Sequence, residues 1–267
     1  AQTARSVVVV GGGPAGLKAA LTAAQRGHQV TLVEQSGALG GLMIPASVGA
    51  FKEDLRRYLS YLRRQVEKSQ IHVMLHTRAD RALLEHLHPD AVILAVGGRA
   101  VMPPVPGLGT SGAVQAVALL NAGLETAGTR VTILGGGSIG CELALELAAL
   151  DRMVTVVELR DKLAANGNEL YRQDLMLHLE QETRITILTQ TVCTGVTAQG
   201  CTVREKDGGT RVIPHDTFVI AAGLRADADA VEALYGVVPE TYYVGDCKRA
   251  ASITEATTEA YFLGASL

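Results

Sequence analysis

The sequence predicts an α/β fold made of two doubly wound units, one inserted into the other. Three observations carry that reading. The first is composition: 48% of the 267 residues are hydrophobic but only 4% are aromatic, Trp is absent and glycine numbers 29. Glycine at about 11%, against a typical ~7%, suits parallel sheets whose helices approach closely and whose cores are filled by Ala, Val, Leu and Ile. The second is an internal repeat. Val7–Glu34 reads VVVVGGGPAGLKAALTAAQRGHQVTLVE, and 124 positions later Val131–Glu158 reads VTILGGGSIGCELALELAALDRMVTVVE. Each copy holds a strand-length apolar run, a triple glycine, an Ala/Leu-rich helical stretch, a second apolar run and a terminal Glu, so the repeated unit is βαβ. The third is that short apolar runs continue to alternate with helical periodicity outside the repeat.

Taken in order, the first βαβ unit is followed by a Gly-rich loop, Gln35–Ala50. A helix over Lys52–Gln70 comes next, with Leu55, Tyr58, Leu59, Leu62 and Val66 on one face. Ile71–Leu75 and Ala91–Ala95 read as strands, with a helix over Ala82–Leu87 between them. Pro103-Pro104-Val105-Pro106-Gly107 reads as a linker. Beyond the second βαβ unit lie a helix over Tyr171–Gln181 and a strand over Ile185–Leu188. A hairpin over Cys201–Ile213 follows, turning at Asp207-Gly208-Gly209. Phe218–Ala221 and Tyr242–Val244 are short strands, and the end is helical from Ile253. The expected domains are 1–109 with 215–267, interrupted by 110–214.

A net charge of −3 offers no electrostatic footprint for nucleic acid or an anionic membrane. No apolar run approaches the ~18 residues of a membrane span. The basic-then-apolar start is broken by Gly11–Pro14, so it does not read as a signal peptide, and the missing initial Met suggests a piece of something longer. Cys141, Cys193, Cys201 and Cys247 have neither C-x-x-C nor metal-ligand spacing; His86-x-His88 lacks a third ligand. No metal is expected. The cysteines read as small packing residues of a cytoplasmic protein.

The chemistry lies in the two loops. Gly11-x-Gly13-x-x-Gly16 and Gly135-x-Gly137-x-x-Gly140 each follow a strand, open a helix and precede an acid, Glu34 or Glu158, 23 positions after the first glycine. In such a loop the first glycine makes the tight turn and the second lets a pyrophosphate reach bare backbone. The third allows close helix–strand packing, and the acid faces ribose hydroxyls. Leu17 after Gly16 excludes a P-loop. Gly136-Gly137-Ser138-Ile139-Gly140 also matches a G-x-S-x-G nucleophile elbow, which would need His178 or His215 as partner. That hydrolase reading explains neither Glu158 nor the repeat. Two dinucleotide sites in one chain point to hydride passing from a nicotinamide to a flavin.

With these motifs the chain resembles the two-dinucleotide-binding pyridine-nucleotide oxidoreductases. Within them it is most similar to the C-terminal half of 2,4-dienoyl-CoA reductase, enoate reductase and trimethylamine dehydrogenase-like proteins. The segments that carry the likeness are VVVVGGGPAGL, VTLVEQSGALGG, RRYLSYLRRQVEK, PDAVILAVGG, PPVPG, VTILGGGSIGCELA, VTVVEL, FVIAAGL and YYVGDC followed by ITEA. The resemblance implies two Rossmann-like domains, with the NAD(P)H domain inserted into the FAD domain. For FAD it implies Gly11, Gly13, Pro14, Ala15, Gly16, Glu34, Gln35, Gly40, Gly41, Leu42, Ala79, Ala95, Val96, Gly97, Gly245, Asp246, Ile253 and Ala256. For the nicotinamide dinucleotide it implies Gly135, Gly137, Ser138, Ile139, Gly140, Glu142, Glu158, Arg160 and Gly223. Asp246 would bond the ribityl chain, and the helix from Ile253 would aim its N-terminus at the flavin ring. Leu42, Val96 and Ala260 depart from the Gln, Thr and Gly common in relatives. Glu158 favours NADH over NADPH, because a 2′-phosphate would meet a like charge; Arg160 softens the preference.

No residue is assigned as an acid, base or nucleophile, since hydride transfer needs orientation alone. The redox cysteine pair of thioredoxin and glutathione reductases has no counterpart in the spacing. Neither do the barrel and four clustered cysteines that hold FMN and an iron–sulfur cluster in the dienoyl-CoA reductase group. The expected function is an FAD-dependent NAD(P)H oxidoreductase module serving such a barrel, on another domain or subunit, that reduces an enoate-type substrate. A non-catalytic module holding ADP in place of FAD is the alternative. The sequence leaves room for a homo-oligomer.

Overall fold

Four consecutive valines suit a strand covered on both faces. In β1 (Ser6–Val10) side chains alternate, so Val7 and Val9 meet one core and Val8 and Val10 the other. All four are at most 5% exposed. The computed structural model describes residues 3–165 and 167–267. The chain forms two compact units, one of residues up to Arg99 together with Leu224–Leu267, the other of Ala100–Gly223.

In the first unit β1 leads into α1 (Pro14–Gln25), β2 (Gln29–Val33), the single turn α2 (Met43–Ala46), α3 (Glu53–Glu67), β3 (His72–Met74), α4 (Arg81–Leu87) and β4 (Ala91–Leu94). After the short β5 (Gly98–Ala100) the chain enters the second unit. That unit runs β6 (Val114–Gln115), α5 (Ala116–Ala122), β7 (Arg130–Leu134), α6 (Ser138–Ala149), β8 (Met153–Val157), α7 (Glu169–Gln181) and β9 (Ile185–Leu188). It continues with β10 (Val192–Val196), β11 (Gly200–Arg204), β12 (Thr210–Pro214) and β13 (Thr217–Ile220). The chain returns through β14 (Leu224–Ala226), which pairs with β5, and completes the first unit with α8 (Ala228–Glu232), β15 (Thr241–Tyr243) and α9 (Ile253–Ser266).

Each unit is built on a five-stranded parallel sheet, ordered β15-β4-β1-β2-β3 in the first and β6-β13-β7-β8-β9 in the second. These are Rossmann-like units. One face of the first sheet carries α1, α3 and α9 on Leu17, Leu32, Leu62 and Ile93; the other carries Leu84 and Leu234 against Val8, Val10 and Leu94. In the second unit α5, α6 and α7 cover Val131, Ile133 and Val156. The opposite face is covered by the antiparallel sheet β10-β11-β12, through Cys193, Val196, Cys201, Val203 and Ile213.

The structure adds β10 to the hairpin expected over Cys201–Ile213, because Val192–Val196 pairs with β11 through a bulge at Cys193/Gly195. The Pro103–Gly107 segment is no free linker. The Pro106 carbonyl accepts from Val196 N at 2.9 Å, and a Cβ on Gly107 would lie 1.9 Å from the Val196 carbonyl oxygen. It belongs to the second unit, and the chain crosses between the units ahead of it, at Arg99/Ala100, and returns at Gly223/Leu224. No helix among the described residues is long and apolar enough to cross a membrane.

Candidate functional site

Each unit has its triple-glycine loop where the central strand feeds the first helix, at the point where strand order reverses. The loops match in detail. Gly11 sits at φ +106° and Gly135 at φ +114°. A Cβ there would lie 2.2 Å from the Ala95 carbonyl oxygen in one unit and 2.4 Å from that of Ala221 in the other. A Cβ on Gly16 or Gly140 would lie 1.8 or 2.0 Å from the carbonyl oxygen of Gly11 or Gly135. At Gly13 and Gly137 nothing lies within 4 Å of the Cβ position, and φ is an ordinary −74° and −67°. Packing within the chain therefore accounts for the first and third glycines and not for the second, which keeps backbone accessible in front of the helix.

That helix start is a set of donors. Gly13 and Gly137 cap α1 and α6 without a side-chain acceptor, and neither first turn holds an acid. Intrahelical bonding begins only with Leu17 N to Gly13 O and Cys141 N to Gly137 O. The N–H groups of Ala15 and Gly16, and of Ser138, Ile139 and Gly140, are the end-of-helix donors that no helical carbonyl takes. Pro14 has no N–H to satisfy and is preset for the first helical position. Together with the helix dipole these groups suit an anion such as a pyrophosphate.

Glu34 and Glu158 brace the loops from beneath. Glu34 Oε2 accepts from Gly12 N at 2.6 Å and Oε1 from Ser36 N at 2.7 Å; Glu158 Oε2 accepts from Gly136 N at 2.6 Å and Oε1 from Arg160 N at 2.8 Å. A carboxylate has about four acceptor positions, so each Glu retains capacity for ribose hydroxyls. Beyond the second strand each chain folds back onto the loop. Gly40 N donates to Gly12 O at 2.7 Å with the Leu39 side chain over Gly12; Ala164 N donates to Gly136 O at 2.8 Å with Leu163 over Gly136. Ala164 occupies the left-handed region at φ +46° where the first unit has Gly40. The repeat thus extends past Glu34, a match the sequence hides because Leu-Gly-Gly is aligned with Leu-Ala-Ala.

The first unit adds further layers. A Cβ on Gly41 would lie 2.9 Å from Gly13 Cα, so the Gly40-Gly41 pair presses directly on the loop. Gln35 is exposed and Leu42 half-buried just beyond. Ala95, Val96 and Gly97 follow β4, with the Ala95 carbonyl and Val96 N against Gly11, and Gly97 takes φ +76°. Gly245, at φ +73°, sits on Ala15: a Cβ would lie 2.9 Å from that of Ala15. Asp246 is half-buried, its Oδ1 accepting from Ala251 N at 3.2 Å, and burial pushes its carboxyl pKa up. Ala256 and the fully buried Ala260 pack α9 on the α1 side of the core. Ala79 packs elsewhere, against the Val8–Leu84 core on the far face of the sheet.

Ile253 opens α9, but that N-terminus is already engaged. Ser252 Oγ accepts from Glu255 N at 3.1 Å while Glu255 Oε2 accepts from Ser252 N at 3.0 Å, a capping box. The Glu255 carboxylate, paired with Arg249 at 2.9 Å, offsets the positive end of the helix dipole. The sequence signal for this box is the Ser-x-x-Glu spacing of Ser252 and Glu255.

In the second unit Glu142 accepts from Tyr171 OH across α6 and α7, and burial, followed by this bond, pushes the Tyr171 phenol pKa up. Arg160 and Ile139 are exposed, and Gly223, at φ +94°, ends the segment after β13 as Gly97 does after β4. Ser138 is the first residue of α6. His215 Nε2 lies 3.2 Å from Thr197 O and His178 Nδ1 2.8 Å from Asp174 O, backbone carbonyls away from the α6 start. Buried Cys141, its thiol raised to about 12 by burial first, lies 3.4 Å from Gly136 O. The fold does bring two cysteines together despite their spacing. Cys193 and Cys201, both free and buried, lie on the paired strands β10 and β11, and their interaction lowers the first thiol's pKa and raises the second's. Among the described residues no group of three or more His, Cys, Asp or Glu could hold a metal ion.

Comparison with known proteins gives the family and supports the fold. The family model described as "Pyridine nucleotide-disulphide oxidoreductase" matches residues 5–260. A bilirubin reductase of Mediterraneibacter gnavus is 34% identical over 258 residues, covering 96% of this chain and 40% of the relative. A cinnamate reductase of Clostridium sporogenes is 29% identical over 263 residues, 98% of this chain and 39% of the relative. A solved 2-naphthoyl-CoA reductase superposes on the whole chain with a TM-score of 0.95 at 26% identity, the match covering 40% of that protein. The chain therefore spans about two-fifths of the length of the relatives it matches.

Proposed function

The chain belongs to the pyridine nucleotide-disulphide oxidoreductase family, and from that premise we propose that it is the reductase module of a larger enzyme, holding FAD in the first unit and NADH in the second. The observation that carries this reading is the pair of glycines, Gly13 and Gly137, whose Cβ positions face open space while their neighbours are locked against backbone. A duplicated cradle of that kind accepts two pyrophosphates. When bound, the nicotinamide dinucleotide supplies a hydride and the flavin accepts it as a two-electron carrier. The residues of this chain bind and orient. Ala15 and Gly16 N–H groups, behind Gly11 and Gly13, hold one pyrophosphate; those of Ser138, Ile139 and Gly140 hold the other. Glu34 and Glu158 take ribose hydroxyls with the oxygen capacity their backbone bonds leave over. Asp246, half-buried and accepting from Ala251 N through Oδ1, has its second carboxylate oxygen to offer the ribityl chain.

NADH is favoured over NADPH because the Glu158 carboxylate is fixed in place by two backbone donors. Electrons would pass on to an FMN and iron–sulfur barrel, on another domain or subunit, acting on an unsaturated acid or similar conjugated substrate. The names of the two relatives, a cinnamate and a bilirubin reductase, support that class. Four free cysteines support a reducing compartment, and we propose the cytoplasm. A second reading, in which the first unit holds only ADP and carries no electrons, draws on one feature: the Glu255 carboxylate at the α9 N-terminus that would otherwise face the flavin ring. Purified protein distinguishes the two. Flavin absorbance that NADH bleaches without oxygen is the expected result; a colourless protein carrying ADP establishes the second reading, and absence of any bound adenine nucleotide refutes both.

A further inference from the structure

One carboxylate in the first unit lies outside every motif and yet touches the proposed flavin site through its backbone. Glu259, on the second turn of α9, accepts from Gly245 N with Oε2 at 3.0 Å, while its Oε1 pairs with Lys248 Nζ. The turn it grips is narrow. Gly245 holds φ +73°, a conformation open to glycine. Its carbonyl accepts from Lys248 N at 2.9 Å and Arg249 N at 3.1 Å, and Val244 N donates to Leu94 O at 2.9 Å. On one side Gly245 abuts Ala15, the first residue of α1 with a free N–H. On the other side it leads directly into Asp246. Ala256 and Ala260 bracket Glu259 on α9 and bury that helix against the α1 side of the core, so its backbone is a fixed platform.

Resting on the reading of the first unit as a flavin site, we infer that Glu259, held by Lys248, is a positioning residue for that site. By fixing the Gly245 N–H it sets both the fit of Gly245 on Ala15 and the direction of the Asp246 carboxyl. The hydrogen bond requires an acceptor at the correct reach and does not require charge. Gln at 259 offers an amide oxygen at the same distance, with the ion pair to Lys248 lost. Asp keeps the charge but withdraws the acceptor by one methylene, too far to meet Gly245 N.

The test is FAD affinity of the stripped protein, read by flavin fluorescence quenching, alongside NADH titration and melting of each apo-protein. Glu259→Ala and Glu259→Asp are each expected to weaken FAD binding by about tenfold, as loss of a charge-assisted hydrogen bond implies. Glu259→Gln and Lys248→Met should stay within about threefold of wild type, the scale of one weak exposed ion pair. NADH affinity should not change in any of them. If Glu259→Ala does not fold, the opposed behaviour of Asp and Gln still decides. Gln as weak as Asp, or Asp as tight as wild type, overturns the positioning role. So does a loss of FAD binding that only tracks a lowered melting temperature. A wild type that takes up no FAD would instead remove the reading of the unit itself, and the inference with it.

Discussion

The two units present the same phosphate loop to different surroundings. Around the first, Gly41 closes over Gly13, Gly245 closes over Ala15, and Glu34 is 7% exposed. Around the second, Gly137 is exposed, Glu158 is half-buried, and Ile139 beside them is 37% exposed. A cradle walled in by glycines and α9 suits a cofactor that stays; an open one suits a nucleotide that comes and goes. On the proposed function, identical local chemistry would thus serve two kinetic roles through what is packed around it.

The largest effect should come from the third glycines, which are needed for folding whatever is bound. Gly16→Val and Gly140→Val each drive a side chain into a carbonyl oxygen at 1.8 or 2.0 Å, where no rotamer relieves the clash. Each is expected to destabilise its own unit by about 3 kcal/mol or more, at the upper end of overpacking costs. Hydrogen exchange resolved by unit reads this directly, and a wild-type pattern for either variant would show that the close approach is not required.

The second glycines should separate binding from folding. Gly13→Val enters open space with a permitted backbone, so the apo-protein should lose only the preference of an N-cap for glycine over valine, about 1 kcal/mol. Flavin affinity should nevertheless fall about a hundredfold, ~3 kcal/mol, with NADH titration unaffected. Gly137→Val should do the reverse. Flavin content unchanged in Gly13→Val would remove the first-unit assignment.

This division of labour shows how far the residues speak for themselves. The pattern G-x-G-x-x-G with a following acid is legible because sterics demand glycine at two fixed places and, on the proposed function, a ligand demands it at the third. The strands are legible because burial on both faces leaves unbroken runs such as Val7–Val10. What escapes is pairing at long range. Nothing near Val192 announces that it will extend a hairpin nine residues later into a sheet covering the second core. Nothing in Thr-Thr-Glu259-Ala distinguishes that Glu from a solvated helix residue, since its partner Gly245 N is fourteen positions away and is a backbone group. The proline-rich segment misleads for the same reason: its turn signals are genuine, but the Pro106 carbonyl is claimed by Val196 of β10.

A smaller effect should appear at the open cradle. Glu158→Ser removes the acceptor of Gly136 N and Arg160 N together with the charge that repels a 2′-phosphate. NADH affinity should drop about tenfold, one to two hydrogen bonds' worth, and the NADH-to-NADPH ratio of dissociation constants should move toward parity. An unaltered ratio would mean that discrimination lies elsewhere, with Arg160 the next residue to change.

The smallest effect is one of pH, and both units share it. His28 in the first is 6% exposed and His215 in the second 3%. His28 Nδ1 accepts from Arg5 N at 3.2 Å, so protonation there would oppose two N–H groups, while its Nε2 has no partner. His215 Nε2 donates to Thr197 O, leaving Nδ1 a buried lone pair with no partner. Burial first holds both pKa values below the ordinary 6.5; nearby cationic groups, Arg5 and Arg26 at His28, add to it. Since the unfolded chain then binds protons that the folded chain refuses, stability rises with pH through this window and is lost as pH falls below 6.5. Melting temperature should therefore decline between about pH 7.5 and about pH 5.5, above the range where carboxylates titrate. His28→Gln and His215→Gln should each flatten that slope. A slope that neither variant changes would place the titrating group outside both cores and leave these two histidines as neutral packing at every pH in the window.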